Sequence, residues 1–101
     1  MRLTAQQQAT VKATVAETFG PGAQVRLFGS RVDDTKRGGD IDLLVTTDER
    51  DVQALMRAEI TLLTKLQNRL GEQKIDLLLD YPSRKVAPPI LGIAMQTGIL
   101  L

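Results

Sequence analysis

The sequence predicts a small α/β (α+β) domain: a mixed sheet of three to four short strands with helices on one face. Three observations carry this expectation. Apolar residues recur at three- and four-residue intervals over 5–19 and about 50–70, the signature of amphipathic helices. Three other segments alternate apolar and polar side chains with a period of two, the signature of half-buried strands. Glycine and proline breaks separate helix from strand each time, so short strands covered by helices are the natural layered solution.

The first helix opens at Thr4, with Gln7 at the spacing of a capping box. Val11, Val15 and Phe19 form its narrow apolar stripe, and Gly20-Pro21-Gly22 ends it. Residues 23–28 read as a strand with Val25 and Leu27 on one face and Gln24, Arg26 and Phe28 on the other. Gly29-Ser30-Arg31 breaks it, and a polar connection closes with Gly38-Gly39. A second strand follows over 40–45. Thr47 or Asp48 is the expected cap of a helix over about 50–70, with Val52, Leu55, Met56, Leu63, Leu66 and Leu70 at helical spacing. Gly71 stops it, residues 74–80 form a third strand, and Pro88-Pro89 opens a last short helix through Gln96. Gly98 and an apolar tail, Ile99-Leu100-Leu101, complete the chain.

At 101 residues the expected organisation is one domain, 1–101. Cysteine and histidine are both absent, which excludes disulfides, thiolate zinc sites, cysteine nucleophiles and serine–histidine–aspartate chemistry. Carboxylates, hydroxyls, lysine, arginine and one tyrosine remain. The formal charge of +1 does not advertise a surface for coating nucleic acid, and no direct nucleic-acid contact is expected. The start of the chain lacks the apolar run of a signal peptide and no segment has the length of a membrane span, so a cytoplasmic location is expected.

Parity along the strands directs attention to three acids. Asp40, Asp42 and Leu44 share one face, opposite Ile41, Leu43 and Val45. In the third strand Asp76, Leu78 and Asp80 oppose Ile75, Leu77 and Leu79. Packing the apolar faces under the helices leaves Asp40, Asp42 and Asp76 together on the other side. Aspartate is depleted in strands, and like charges placed as neighbours repel. Two carboxylates two residues apart on a strand have Cα atoms about 6.5–7 Å apart. A divalent cation between them turns repulsion into coordination, and an all-oxygen donor set suits Mg²⁺ or Mn²⁺. Solvent-facing decoration of a sheet explains Asp76 or Asp80 taken singly; it explains the Asp40–Asp42 pair behind two glycines less well.

The turn before the pair adds context. Gly29-Ser30 follows a strand, a geometry in which backbone N–H groups and a hydroxyl can hold a triphosphate, and Arg31 adds a permanent charge. Taken together, Leu27-Phe28-Gly29-Ser30-Arg31, then Asp40-Ile41-Asp42-Leu43-Leu44-Val45, then Lys74-Ile75-Asp76-Leu77 resemble the DNA polymerase β superfamily of nucleotidyltransferases. More narrowly, the chain looks like the minimal nucleotidyltransferases (MNT), many of which are encoded beside a HEPN-domain protein as antitoxin and toxin.

The resemblance implies the nucleotidyltransferase fold and a role for each position. Asp40, Asp42 and Asp76 would be the catalytic carboxylates and the ligands of two Mg²⁺ ions, with Asp76 helping to deprotonate the attacking hydroxyl. Gly29 and Ser30 would bind the β- and γ-phosphates of ATP, flanked by Arg31 and Gly39. Two departures stand out: Gly39 occupies a position where many relatives have serine, and Val32-Asp33-Asp34 replaces a second arginine before a glycine. Lys36 or Arg37 could supply the missing phosphate contact. Larger relatives carry further domains for their acceptors, so here the acceptor hydroxyl is expected from a partner, a second copy or a small molecule. The resemblance implies a HEPN ribonuclease toxin as partner, neutralised by AMPylation of a tyrosine hydroxyl. Two alternatives stay open: an antitoxin acting by complex formation alone, and a small-molecule nucleotidyltransferase. Base selection is expected of loops, with 86–91 the candidate stretch. Asp48-Glu49-Arg50-Asp51 reads as a solvated helix start and Ser83-Arg84-Lys85 as an exposed loop.

Overall fold

The computed structural model of the protein describes residues 3–29, 40–71, 73–84 and 88–101. Its elements run α1 (Ala5–Phe19), β1 (Gln24–Phe28), β2 (Ile41–Thr46), α2 (Val52–Leu70), β3 (Ile75–Asp80), α3 (Pro89–Thr97) and β4 (Ile99–Leu100). The four strands form one mixed sheet in the order β3-β2-β1-β4. β1 is antiparallel to both β2 and β4, whereas β2 and β3 are parallel. Parallel neighbours need a crossover, and α2 supplies it.

The capping box of α1 is present: the Gln7 N–H donates to Thr4 Oγ1 at 3.0 Å, and the Thr4 N–H donates to Gln7 Oε1 at 2.9 Å. For α2 the cap is Asp51, whose side chain accepts from the Gln53 N–H at 3.0 Å. Thr47, an expected cap, is instead buried and accepts from the Glu49 N–H at 3.2 Å. This local turn delays the helix by two residues relative to the sequence expectation.

Odd-numbered strand residues build the main core. Val25, Leu27, Ile41, Leu43, Val45 and Leu79 pack against Val11 and Val15 of α1 and Leu62 and Leu66 of α2. Leu62, fully buried, anchors α2, whereas Val52 and Met56 of the anticipated stripe are exposed along with Ile60. The helix is therefore rotated from the face the sequence suggested. α1 and α2 are tied at the surface by Glu17, which meets Arg69 at 3.0 Å and Lys65 at 3.4 Å.

The mixed α+β sheet is as expected, but the helices do not all lie on one face. Phe28 and Leu44, on the even-numbered side, pack with Leu91 and Ala94 of α3, with Leu78 against them. α3 thus covers part of the face that carries the acids. The apolar tail is not loose: Ile99 and Leu100 pair with β1, and the Leu101 N–H donates to the Val25 carbonyl at 2.9 Å. Among the described residues no helix is long and apolar enough to cross a membrane.

Candidate active site

Sheet register determines which acids can meet. Phe28 is the β1 partner of Asp42, and Asp76 is its β3 partner. The C-terminal end of β1 and the N-terminal ends of β2 and β3 therefore converge, bringing Gly29, Asp42 and Asp76 to one end of the sheet. Asp40 lies just before β2, and its Oδ2 meets Lys74 Nζ at 3.6 Å. The parity argument thus placed Asp42 and Asp76 on the correct face.

Asp42 occupies the middle strand with Phe28 on one side, so its carboxylate is the most shielded of the three. Burial pushes its pKa above the ordinary carboxylate value, reinforced by the Asp76 charge, a hydrogen bond with Asp76 and the Asp40 charge. Lys74 opposes the shift.

Gly29 closes on this carboxylate from the β1 side. Its φ of +77° is disfavoured for residues with a Cβ. A Cβ built there would overlap Asp42 Oδ2 and fall 3.0 Å from its Cγ and 3.3 Å from its Cβ. The absence of a side chain at position 29 is what lets the Asp42 carboxylate sit against the end of β1.

The expected three-aspartate cluster is assembled only in part. Among the described residues no group of three or more acidic side chains closes around one point. The physical reason is electrostatic: like charges do not converge unaided, and Asp40 is drawn toward Lys74. The donor chemistry nevertheless fits a hard divalent cation. Asp42 and Asp76 are adjacent, Asp40 is near enough to affect Asp42, and all donors are oxygen. Ser30, Arg31 and Gly39, expected at the nucleotide, lie outside the described residues, as do Lys36, Arg37 and residues 86 and 87 of the anticipated base-selecting stretch.

Asp80 shares the face but not the site. It pairs with Thr46 at the opposite end of the sheet, where a hollow of about 380 Å³ is lined by Thr46, Thr47, Asp80 and Tyr81. Two neighbours of the site were not singled out from sequence. Lys74, two residues before Asp76, balances Asp40, and Phe28 walls Asp42. The parity that placed the acids also places Lys74 and Phe28 on their face, a signal sufficient to find both.

With this geometry in hand, comparison with known families is specific. The nucleotidyltransferase domain family matches residues 9–100, and the chain belongs to it. Comparison with curated proteins gives no match. Membership supports nucleotidyl transfer as the class of reaction, and the matched region contains every residue of the site described above.

Proposed function

We propose that this nucleotidyltransferase-family protein transfers AMP from ATP to a hydroxyl of a partner protein, with Asp40, Asp42 and Asp76 as the catalytic carboxylates. The carrying observation is the Asp42–Asp76 register pair, closed by Gly29 and flanked by Asp40. An acceptor hydroxyl oxygen attacks the α-phosphorus, the bond to the β-phosphate oxygen breaks, and pyrophosphate leaves. Asp76, the exposed member of the pair, receives the hydroxyl proton. Asp42 and Asp40 would hold Mg²⁺ between triphosphate and acceptor, and Asp76 would complete the acceptor side. Bound there, the cation supplies charge neutralisation at the phosphates. Gly29 leaves room for close approach at the end of β1, and Lys74 places a positive charge beside Asp40.

The partner we propose is a HEPN-domain toxin encoded by a neighbouring gene, modified on a tyrosine hydroxyl. The motif pattern Gly29-Ser30, Asp40-Ile41-Asp42 and Asp76 supports it. Intact-mass measurement of that partner after incubation with the protein, Mg²⁺ and ATP tests the reading. A gain of one or more AMP units is expected, and it should vanish with Asp40→Ala/Asp42→Ala. A second reading draws on the exposed apolar stripe Val52, Met56 and Ile60 of α2, a surface suited to stable association with a partner. In it the protein neutralises by complex formation alone, and an Asp40→Ala variant would still neutralise with no mass gain on the partner.

A further inference from the structure

β3 is an edge strand, and among the described residues no strand pairs with its outer side. The direction of its backbone groups follows from two hydrogen bonds. The Ile41 N–H donates to the Lys74 carbonyl at 2.9 Å, and the Thr47 N–H donates to the Asp80 carbonyl at 3.0 Å. Even-numbered residues of this strand therefore turn their polar backbone groups toward β2. By alternation Ile75, Leu77 and Leu79 turn theirs outward.

One of these outward groups is already engaged. Arg84 Nη1 donates to the Leu79 carbonyl at 2.8 Å, with its guanidinium 5.5 Å from the centre of the Tyr81 ring. This closes the end of the edge remote from the site, as charged side chains commonly do on exposed strands. The other end, Ile75 to Leu77, runs beside Asp76. Along the helix side, from Leu77 toward the Arg84 end, lies a groove of about 280 Å³ lined by Val52, Met56, Leu77, Leu79, Tyr81 and Arg84. Val52, Met56 and Ile60 continue this flank as an exposed stripe on one side of α2.

We propose that the open half of β3 is where the acceptor docks: an extended segment of a partner protein pairs antiparallel with β3 at Leu77 and presents its hydroxyl opposite Asp76. This rests on the transfer reading above and specifies the form of its substrate. A residue exchanging both backbone bonds with Leu77 fixes the register. The next residue then faces Asp76 in a non-hydrogen-bonded pair, with Cα atoms about 4.5 Å apart and side chains on the same face. That face is the one bearing Asp42. The residue paired with Leu77 turns to the other face and sets an apolar side chain at the Leu77 end of the Val52–Met56 groove. The same-face residues two positions to either side of the hydroxyl fall opposite Lys74 and Leu78, which favours an acidic residue at the first and an uncharged one at the second.

A second copy of the chain fits this edge poorly. Antiparallel pairing of β3 with itself that keeps the faces matched puts Asp76, Leu78 or Asp80 opposite Asp76. Two of these oppose like charges, and none supplies a hydroxyl.

The test uses short synthetic peptides with valine at alternate positions, a central tyrosine, glutamate two residues after it to meet Lys74 and glutamine two residues before it. They are offered to the full-length protein with Mg²⁺ and ATP. Two readouts are kept separate: hydrogen-exchange protection of the Ile75 and Leu77 amides, and AMP addition to the peptide. N-methylation of the amides flanking the tyrosine, which would face β3, should weaken binding at least tenfold. N-methylation of the tyrosine's own amide, directed away, should leave binding within threefold. Met56→Glu, an exposed change, should weaken binding as well. Equal sensitivity of both methylated peptides, protection elsewhere, or edge protection by self-association without peptide would overturn the docking proposal. Protection without AMP addition would uphold docking and count against transfer to hydroxyls; AMP addition without protection would do the reverse.

Discussion

Replacing Gly29 by alanine probes the site through one methyl group. Two costs are expected, and the structure allows them to be separated. The first is backbone strain: a non-glycine residue held at positive φ costs about 1–3 kcal/mol. The second is overlap, because the new Cβ would occupy the space of Asp42 Oδ2 and lie 3.0 Å from Asp42 Cγ. Because the overlap reaches Asp42 Cγ, the half-buried side chain must shift, at roughly 1–3 kcal/mol, and the displaced group is the carboxylate proposed for catalysis. Gly71→Ala is the matched control, since Gly71 has φ +85° but nothing within 4 Å of a built Cβ. Gly71→Ala should lose only the strain cost and keep its activity. Gly29→Ala should lose about 2–6 kcal/mol in all, and a misplaced carboxylate should lower transfer by roughly 10²-fold. At about 4–8 °C per kcal/mol for a domain of this size, thermal denaturation resolves the two variants readily. Adding Asp42→Ala to Gly29→Ala should recover the overlap term, giving a coupling of about 1 kcal/mol or more in a double-mutant cycle. Strict additivity in that cycle, or wild-type transfer by Gly29→Ala, would refute the close approach.

Further predictions concern charge and packing. Asp42 has a raised pKa, so the folded state holds its proton to higher pH than the unfolded chain does. Without divalent cations, stability should therefore fall as pH rises from the ordinary carboxylate value through the raised one. Asp42→Asn should remove this slope and raise Tm at neutral pH while abolishing transfer, which paired melting and activity curves would check. Glu17 has the opposite sign: Arg69 first, and Lys65 after it, lower its pKa against opposing desolvation. Its contribution is present above the ordinary value and lost as pH falls through the lowered one, so Glu17→Gln should flatten the acid limb of a stability–pH profile. Leu62→Ala should cost about 2–5 kcal/mol by denaturant unfolding, because Leu62 is fully buried between helix and sheet. Met56→Ala, at an exposed position, should stay within about 0.5 kcal/mol.

The site acids were legible because strand parity is a strong constraint. Once Ile41, Leu43 and Val45 are buried, Asp42 must face the other way, and the same holds for Asp76 beside Ile75 and Leu77. What parity cannot supply is register between strands. That Asp42 lies level with Asp76, rather than two residues away, depends on how α2 returns the chain.

Other features were hidden for different reasons. Leu62 and Leu63 are consecutive leucines, and local sequence does not say which one a docked helix turns toward the sheet. β4 has two residues, too few to show alternation; it forms because Gly98 fits against Arg26 and Leu27 and brings the tail beside β1. α3 is apolar all around, so its pattern could not reveal that it would cover the face opposite α1 and α2. In each case the missing information lies in tertiary docking, which periodicity along one segment does not record.

The central claim, that the Asp42–Asp76 end of the sheet carries out nucleotidyl transfer, is tested most directly with ATP labelled at either the α- or the γ-phosphate. The labelled nucleotide is given with Mg²⁺ and the proposed HEPN-domain partner to wild-type protein, Asp42→Asn and Asp76→Asn. With wild-type protein, α-label should enter the partner as pyrophosphate leaves, and each substitution should reduce incorporation by roughly 10²-fold or more. Incorporation of γ-label, or undiminished α-label transfer by Asp42→Asn, would contradict it.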